Sequence, residues 1–202
     1  MKLFYSPGAC SLVPHIVLRE AGVTFLLQKV DTAKHVTADG GDYYAINPKG
    51  QVPVLELDDG TRLTEGPVIA QYIADHAANA ALMPAAGSMA RYRVMEWQNY
   101  ITAELHKSFT PLFNPAFDAS AKGLHAQLLR KKYEWLDSQL AATLHLTGNE
   151  FTAADAYLFT VTAWAKYVNL NLSDLPHLQR FLTSVAARPA VREAMKAEGL
   201  LG

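Results

Sequence analysis

The spacing of apolar residues changes character partway along the chain. At the start, "KLFY" (2–5) reads as a short strand. In "SLVPHIVLREAG", Leu12, Ile16 and Val17 recur at helical spacing, Arg19 and Glu20 turn outward, and Gly22 is a stop signal. "TFLLQKV" predicts a second strand. The polar stretch 32–46 is irregular or helical, with Gly40-Gly41 breaking any long helix. "QVPVLELDDGTRLTEG" then predicts two short strands joined at Asp59-Gly60, a strong hairpin signal. "PVIAQYIADHA" is helical, with Pro67 suited to the first turn. Residues 1–81 are therefore expected to form an α/β domain of order β-α-β-α-β-β-α.

Beyond a linker at 82–87, within "LMPAAGS", the pattern is helical throughout. "MARYRVMEWQNYITAELHKSFTPLF" predicts a long amphipathic helix weakened near Pro111. "AKGLHAQLLRKKYEWLDSQLAATL" predicts a second, with Leu128, Leu129, Tyr133 and Leu136 on one face. "FTAADAYLFTVTAWAKYV" is almost wholly apolar, which predicts the buried central helix of a bundle. Thr152 and Asp155 stand at capping-box spacing at its start. "LPHLQRFLTSVAARP" and "AVREAMKAEG" complete an all-α domain over 88–202. There are no internal repeats.

Composition narrows the function classes. Of 202 residues, 50% are hydrophobic and 18% charged, so the chain has ample core material. A net charge of −1 gives no long-range pull toward nucleic acid or anionic lipid. A single cysteine excludes an internal disulfide and suits a reducing, cytoplasmic compartment. "MKLFYSPGA" lacks the apolar run of a secretory leader. "AADAYLFTVTAWA" is too short to span a bilayer and carries Asp155. A phosphate-binding glycine loop, a His-Glu-x-x-His motif, a cysteine cluster and a Gly-x-Ser-x-Gly elbow are all missing from the sequence, so no metal is expected.

The chemistry concentrates in a few places. Cys10 follows a Pro-Gly turn and precedes a helix, where free N–H groups lower a thiol's pKa. An unpaired cysteine is otherwise more often inert filling. In Gln51-Val52-Pro53-Val54, Pro53 must head a strand, and its peptide bond is a candidate for the cis form. A cis bond would leave the Val52 main chain free to pair with an extended peptide; an ordinary edge-strand proline is the plainer reading. Glu65 and Gly66 open a helix whose amides make an anion site, with the Glu side chain as an acceptor for an ammonium. In the helical domain, Asn99, Ala103 and His106 lie near one face, with Glu104 and Lys107 beside them. Phe109, Phe113, Tyr157 and Trp164 are either plain core or the lining of an apolar pocket.

A cysteine at the first helix and a strand-initiating Val-Pro describe a thioredoxin-like domain. Val13 stands where thioredoxins carry a second cysteine, so Cys10 can form a disulfide only with an external thiol. With the helical domain added, the chain resembles the cytosolic glutathione transferases. "KLFYSPGACSL", "NPKGQVPVLELDDGTRLTEG", "EWQNYITAELHKSFTPLF" and "FTAADAYLFTV" are similar to the bacterial beta class.

The resemblance implies a homodimer that binds glutathione as co-substrate and conjugates its thiolate to small hydrophobic electrophiles. It implies that Val52 and Pro53 hold the tripeptide backbone, Glu65 and Gly66 its γ-glutamyl end, and that Cys10 lies against its sulfur. Asn99, reaching in from the other subunit, and Ala103, Glu104, Leu105, His106 and Lys107 would complete the site. Lys34-His35 departs from the pattern, in which Lys is common at the second position; His35 would then meet the glycyl carboxylate. Ser11 sits where a hydroxyl reaches the sulfur, and Ser11, His106 and Cys10 are the expected catalytic set. Dehalogenation, monothiol exchange of the glutaredoxin kind, and a non-enzymatic ligand-binding or regulatory role are the competing readings.

Overall fold

The computed structural model describes residues 1–201, which form two compact units. One comprises Met1–Met83 together with the chain from Ala187 onward; the other is Pro84–Ala186.

The first unit is built on β1 (Lys2–Tyr5), α1 (Leu12–Glu20), β2 (Leu26–Asp31), β3 (Val36–Thr37), β4 (Val54–Glu56), β5 (Arg62–Thr64) and α2 (Gly66–His76). The sheet order is β3-β2-β1-β4-β5, with β1 and β2 parallel and the other neighbours antiparallel. Alternation along β1 sends Leu3 and Phe4 to opposite faces of the sheet, both buried. Residues of α1 and α2, among them Val13, Ile16, Val17, Ile69 and Ile73, are fully buried, and the two helices pack together. On the other side Phe4, Val30, Tyr43 and Val54 cluster, with Ile46 and Val52 against them.

That second cluster explains the polar stretch 32–46. It holds only the two-residue β3 and one 3-10 turn, Tyr43–Ala45, in place of the helix allowed for in the β-α-β-α-β-β-α reading. Tyr43 is fully buried, its ring 6.0 Å from Phe4 and its hydroxyl donating to the Gln51 carbonyl at 2.9 Å. A single aromatic anchor covers the sheet face where a helix would otherwise be needed.

The second unit contains α3 (Met89–Tyr100), α4 (Lys107–Phe113), α5 (Ala119–Gln139), α6 (Ala153–Thr162) and α7 (Pro176–Ala186). α6 is buried along its whole length, as its apolar sequence predicts. Its start is fixed by the capping box: Asp155 accepts from the Thr152 amide and hydroxyl, both at 2.8 Å, and from the Leu146 amide at 2.9 Å. Burial pushes the Asp155 carboxyl pKa up, against the donors that favour its anion. The helix is shorter than "FTAADAYLFTVTAWAKYV" suggests, because Ala163–Val168 tightens to a 3-10 segment.

Three expectations need correction here. The long helix is disturbed not at Pro111 but one turn earlier, where Ile101–His106 widens to a π-helix between α3 and α4. Pro111 has no N–H for the Lys107 carbonyl and its ring crowds that carbonyl; the π segment ends immediately before Lys107. Leu128 is exposed, while Leu129, Tyr133 and Leu136 are fully buried, since one residue along a helix is a rotation of about 100°. Arg19 and Glu20 are half-buried and do not simply face water.

They meet α8 (Pro189–Ala197), which packs on α1. Arg188 grips Glu20 through two hydrogen bonds of 2.6 and 2.8 Å, and Arg19 donates to Glu193 at 3.2 Å. The helical region read as 88–202 is thus divided, its last helix completing the first unit.

Candidate active site

Cys10 lies in the connection between β1 and α1. The Ser6-Pro7-Gly8-Ala9 turn closes through the Ala9 amide to the Ser6 carbonyl at 3.1 Å. Gly8 has φ +70, the left-handed conformation that the third position of a type II turn needs. α1 begins only at Leu12, with Ser11 as its cap, so Cys10 stands one residue outside the helix end. Its half-buried thiol donates to the Val52 carbonyl at 3.3 Å. Val52 precedes a cis peptide bond to the buried Pro53, and β4 starts at Val54. Sequence positions 42 residues apart therefore meet at one sulfur and one carbonyl.

The electrostatics run against the acidic thiol expected from the sequence. Burial pushes the Cys10 thiol up to about 11, nearby Glu65 adds to the rise, and the Cys10 and Ser11 amides offset it only in part. The resting protein therefore holds Cys10 as a neutral hydrogen-bond donor at neutral pH. Against an ordinary thiol near ~8.5, the thiolate fraction at pH 7 is lower by about 300-fold. Alkylation by iodoacetamide should be slower than that of free glutathione by about two orders of magnitude, its rate still climbing tenfold per pH unit beyond pH 9. Stopped-time mass spectrometry across pH 7–9.5 measures this; a plateau below pH 9 would contradict it.

Ser11 is fully buried and its hydroxyl is engaged by Ser6: the Ser6 amide donates to it at 3.1 Å and it donates to the Ser6 carbonyl at 3.2 Å. In this structure it shapes the turn that presents the sulfur.

Glu65 precedes α2 with φ 69 and ψ 109, a conformation that L residues with long side chains rarely adopt. Lys49 holds its carboxylate at 2.5 Å and also donates to the Thr64 hydroxyl at 3.0 Å. Gly66 begins the helix, and Pro67 supplies no amide, so the Gly66 and Val68 amides are the donors of that first turn. His35 also has positive φ, 53°, and its ring lies 4.3 Å from that of Tyr44. Both rings approach Gly50 so closely that a Cβ there would sit 2.8 Å from each. The His35 Nδ1 is buried without a hydrogen-bond partner. Sequence reasoning missed Lys49 and Tyr43; the charge complement of Lys49 to Glu65 carried no local spacing signal.

Within the helical unit the candidates form a second group. The π-helix carries Ala103, Glu104, Leu105 and His106, and π segments often mark functional positions. His106 Nδ1 hydrogen-bonds the Tyr157 hydroxyl at 2.7 Å, and its ring meets Trp164 edge-on at 4.8 Å. Phe109 and Phe113 lie 5.6 and 6.3 Å from Trp164, so the four aromatic candidates are linked through Trp164 and His106. Phe109, Tyr157 and Trp164 are buried and Phe113 is half exposed. Leu105 is fully buried, whereas Asn99, Ala103 and Lys107 are exposed. Glu104 pairs with Lys132 of α5 at 2.8 Å.

The chain matches the family model for the glutathione S-transferase N-terminal domain over residues 8–76 and that for the C-terminal domain over 85–197. It is 50% identical to glutathione S-transferase GstA of Escherichia coli O157:H7, covering 99% of this chain and all of that protein. A sphingomonad glutathione S-transferase solved in complex with glutathione is 46% identical, with a TM-score of 0.95 over 99% of this chain and all of the other. A beta-class enzyme from Sphingomonas chungbukensis is 44% identical with a TM-score of 0.96, each chain covered completely. With both halves of the sequence matched and bacterial beta-class enzymes among its structural neighbours, the chain belongs to the glutathione S-transferase family.

Proposed function

We propose that the protein joins the thiolate of glutathione to small hydrophobic electrophiles and exchanges disulfides through Cys10 as a second reaction. The observation that carries this reading is the meeting of the Cys10 thiol with the Val52 carbonyl at 3.3 Å. An extended thiol peptide paired with the Val52 main chain brings its own sulfur beside Cys10. There the S–H of Cys10 is a donor that stabilises a neighbouring sulfur anion, in keeping with its high pKa. The anion attacks the electrophilic carbon, an S–C bond forms, and the leaving group, chloride in a chloronitroarene, departs with the bonding pair.

At the other end of the peptide, Glu65 and the first-turn amides of α2 suit a group that carries both an ammonium and a carboxylate. His35 is assigned to the glycyl carboxylate. In the helical unit, His106 and the exposed Asn99, Ala103 and Lys107 complete the glutathione site, with Phe109, Phe113, Tyr157 and Trp164 receiving the apolar substrate. The active form is a homodimer in which Asn99 serves the partner's site, working in the cytoplasm, where glutathione is abundant and reduced.

Titration calorimetry with glutathione, followed by turnover of a chloronitroarene, tests the proposal. Glu65→Ala should weaken glutathione binding by about 10- to 100-fold, the loss of one charge-assisted hydrogen bond and its partner. Absence of glutathione binding by the parent protein would overturn the reading in favour of a carrier or regulatory module.

A further inference from the structure

Glu198 lies beyond α8, in the first unit, and is almost completely buried. Its carboxylate is divided between two donors on elements far away in sequence. Oε1 meets His15 Nδ1 at 2.8 Å, and Oε2 accepts from the Gly8 amide at 2.9 Å. On the far side of the ring, Arg19 donates from Nε to His15 Nε2 at 3.0 Å, so Nε2 is the acceptor and the Nδ1 proton goes to Glu198. Neither the His15 nor the Glu198 side chain exposes any surface.

A buried carboxylate is costly unless its acceptor capacity is used. Here it is used on a backbone amide two residues before Cys10. In a type II turn the amide of the third residue points away from the turn and needs an outside acceptor. Ser11 ties the same turn from within, through both the amide and the carbonyl of Ser6. Ser11 and Glu198 thus hold the turn from opposite sides.

We propose that Glu198 is a positioning residue for the Cys10 turn, fixing the sulfur against Val52 from a site 190 residues away in sequence through the Gly8 amide and His15. It touches no substrate; it acts by keeping the turn closed and Cys10 withdrawn from water. The inference rests on Cys10 being the reactive thiol of the function proposed above. Its test uses iodoacetamide instead of glutathione, so that failure here leaves the glutathione titration unaffected.

Glu198→Gln keeps the side chain's size but replaces one acceptor oxygen by an NH2 group, which cannot accept from both Gly8 and His15. With the turn loosened and the thiol hydrated, alkylation of Cys10 at pH 8 should accelerate at least tenfold. The charged and titratable neighbours of Cys10 otherwise stay the same: Glu65, held by Lys49, and Tyr43. Arg188→Ala is the control, since it removes the two bonds to Glu20 and leaves the Glu198 side chain in place. It should lower the melting temperature and leave Cys10 alkylation within about twofold of the parent. Glu198→Ala should exceed Glu198→Gln if it folds, and Glu198→Gln decides the matter if it does not. A folded Glu198→Gln protein with the parent's alkylation rate overturns the proposal, as does an equal acceleration in Arg188→Ala.

Discussion

Cys10→Ala should abolish mixed-disulfide formation with oxidised glutathione while leaving conjugation within about tenfold of the parent rate. The first half follows from composition: no other thiol exists in the chain to be attacked or to attack. The second follows from the state of the thiol. At neutral pH Cys10 is a neutral donor to the Val52 carbonyl, pushed up to about 11 by burial. Removing such a donor costs about 0.5–1.5 kcal/mol, which is a factor of about 2 to 13 in rate or binding. Intact mass after incubation with oxidised glutathione reads the first effect, and initial rates with a chloronitroarene read the second. A conjugation loss of about a thousandfold would mean that Cys10 is the shared centre of both reactions.

The largest stability effect should come from Asp155→Ala, in the second unit. Its carboxylate satisfies the Leu146 amide, the Thr152 amide and the Thr152 hydroxyl, and all of these are buried. Alanine leaves two amides without a partner and removes the cap of the fully buried α6. The loss should be about 3 kcal/mol or more, enough to lower the melting temperature by about 10 °C in a chain of this size. Asp155→Asn, which retains one acceptor, should lose less. Urea unfolding followed by tryptophan fluorescence measures both; equal stability of Asp155→Ala and parent would show that the box does not anchor the helix.

The elements of the first unit were legible because apolar period and turn signals agree there. "KLFY" is β1 residue for residue, and Asp59-Gly60 does join β4 to β5. The elements that bring Cys10 to Val52 were largely legible too: Cys10 follows β1, and α1 and a parallel β2 come next before the chain returns to Val52. The thiol's acidity was not. The Cys10 and Ser11 amides do lower its pKa, as a helix start should, but burial outweighs them and Glu65 adds to the rise. Arg19 and Glu20 misled for a different reason: their partners lie 174 and 168 residues away, beyond any local period. A His on the apolar face of α1, next to Ile16, was nonetheless a legible sign that some buried partner had to exist.

The first unit's use of both ends of the sequence has a consequence for synthesis in the cell. On a ribosome, the sheet and its two helices can assemble once residue 83 has emerged, yet Gly8 and His15 wait for Glu198. At translation speeds of ~5–20 residues per second, that gap lasts roughly 10 s. During this interval the face of α1 that α8 will cover stands open, so the nascent chain is the form most in need of protection from aggregation.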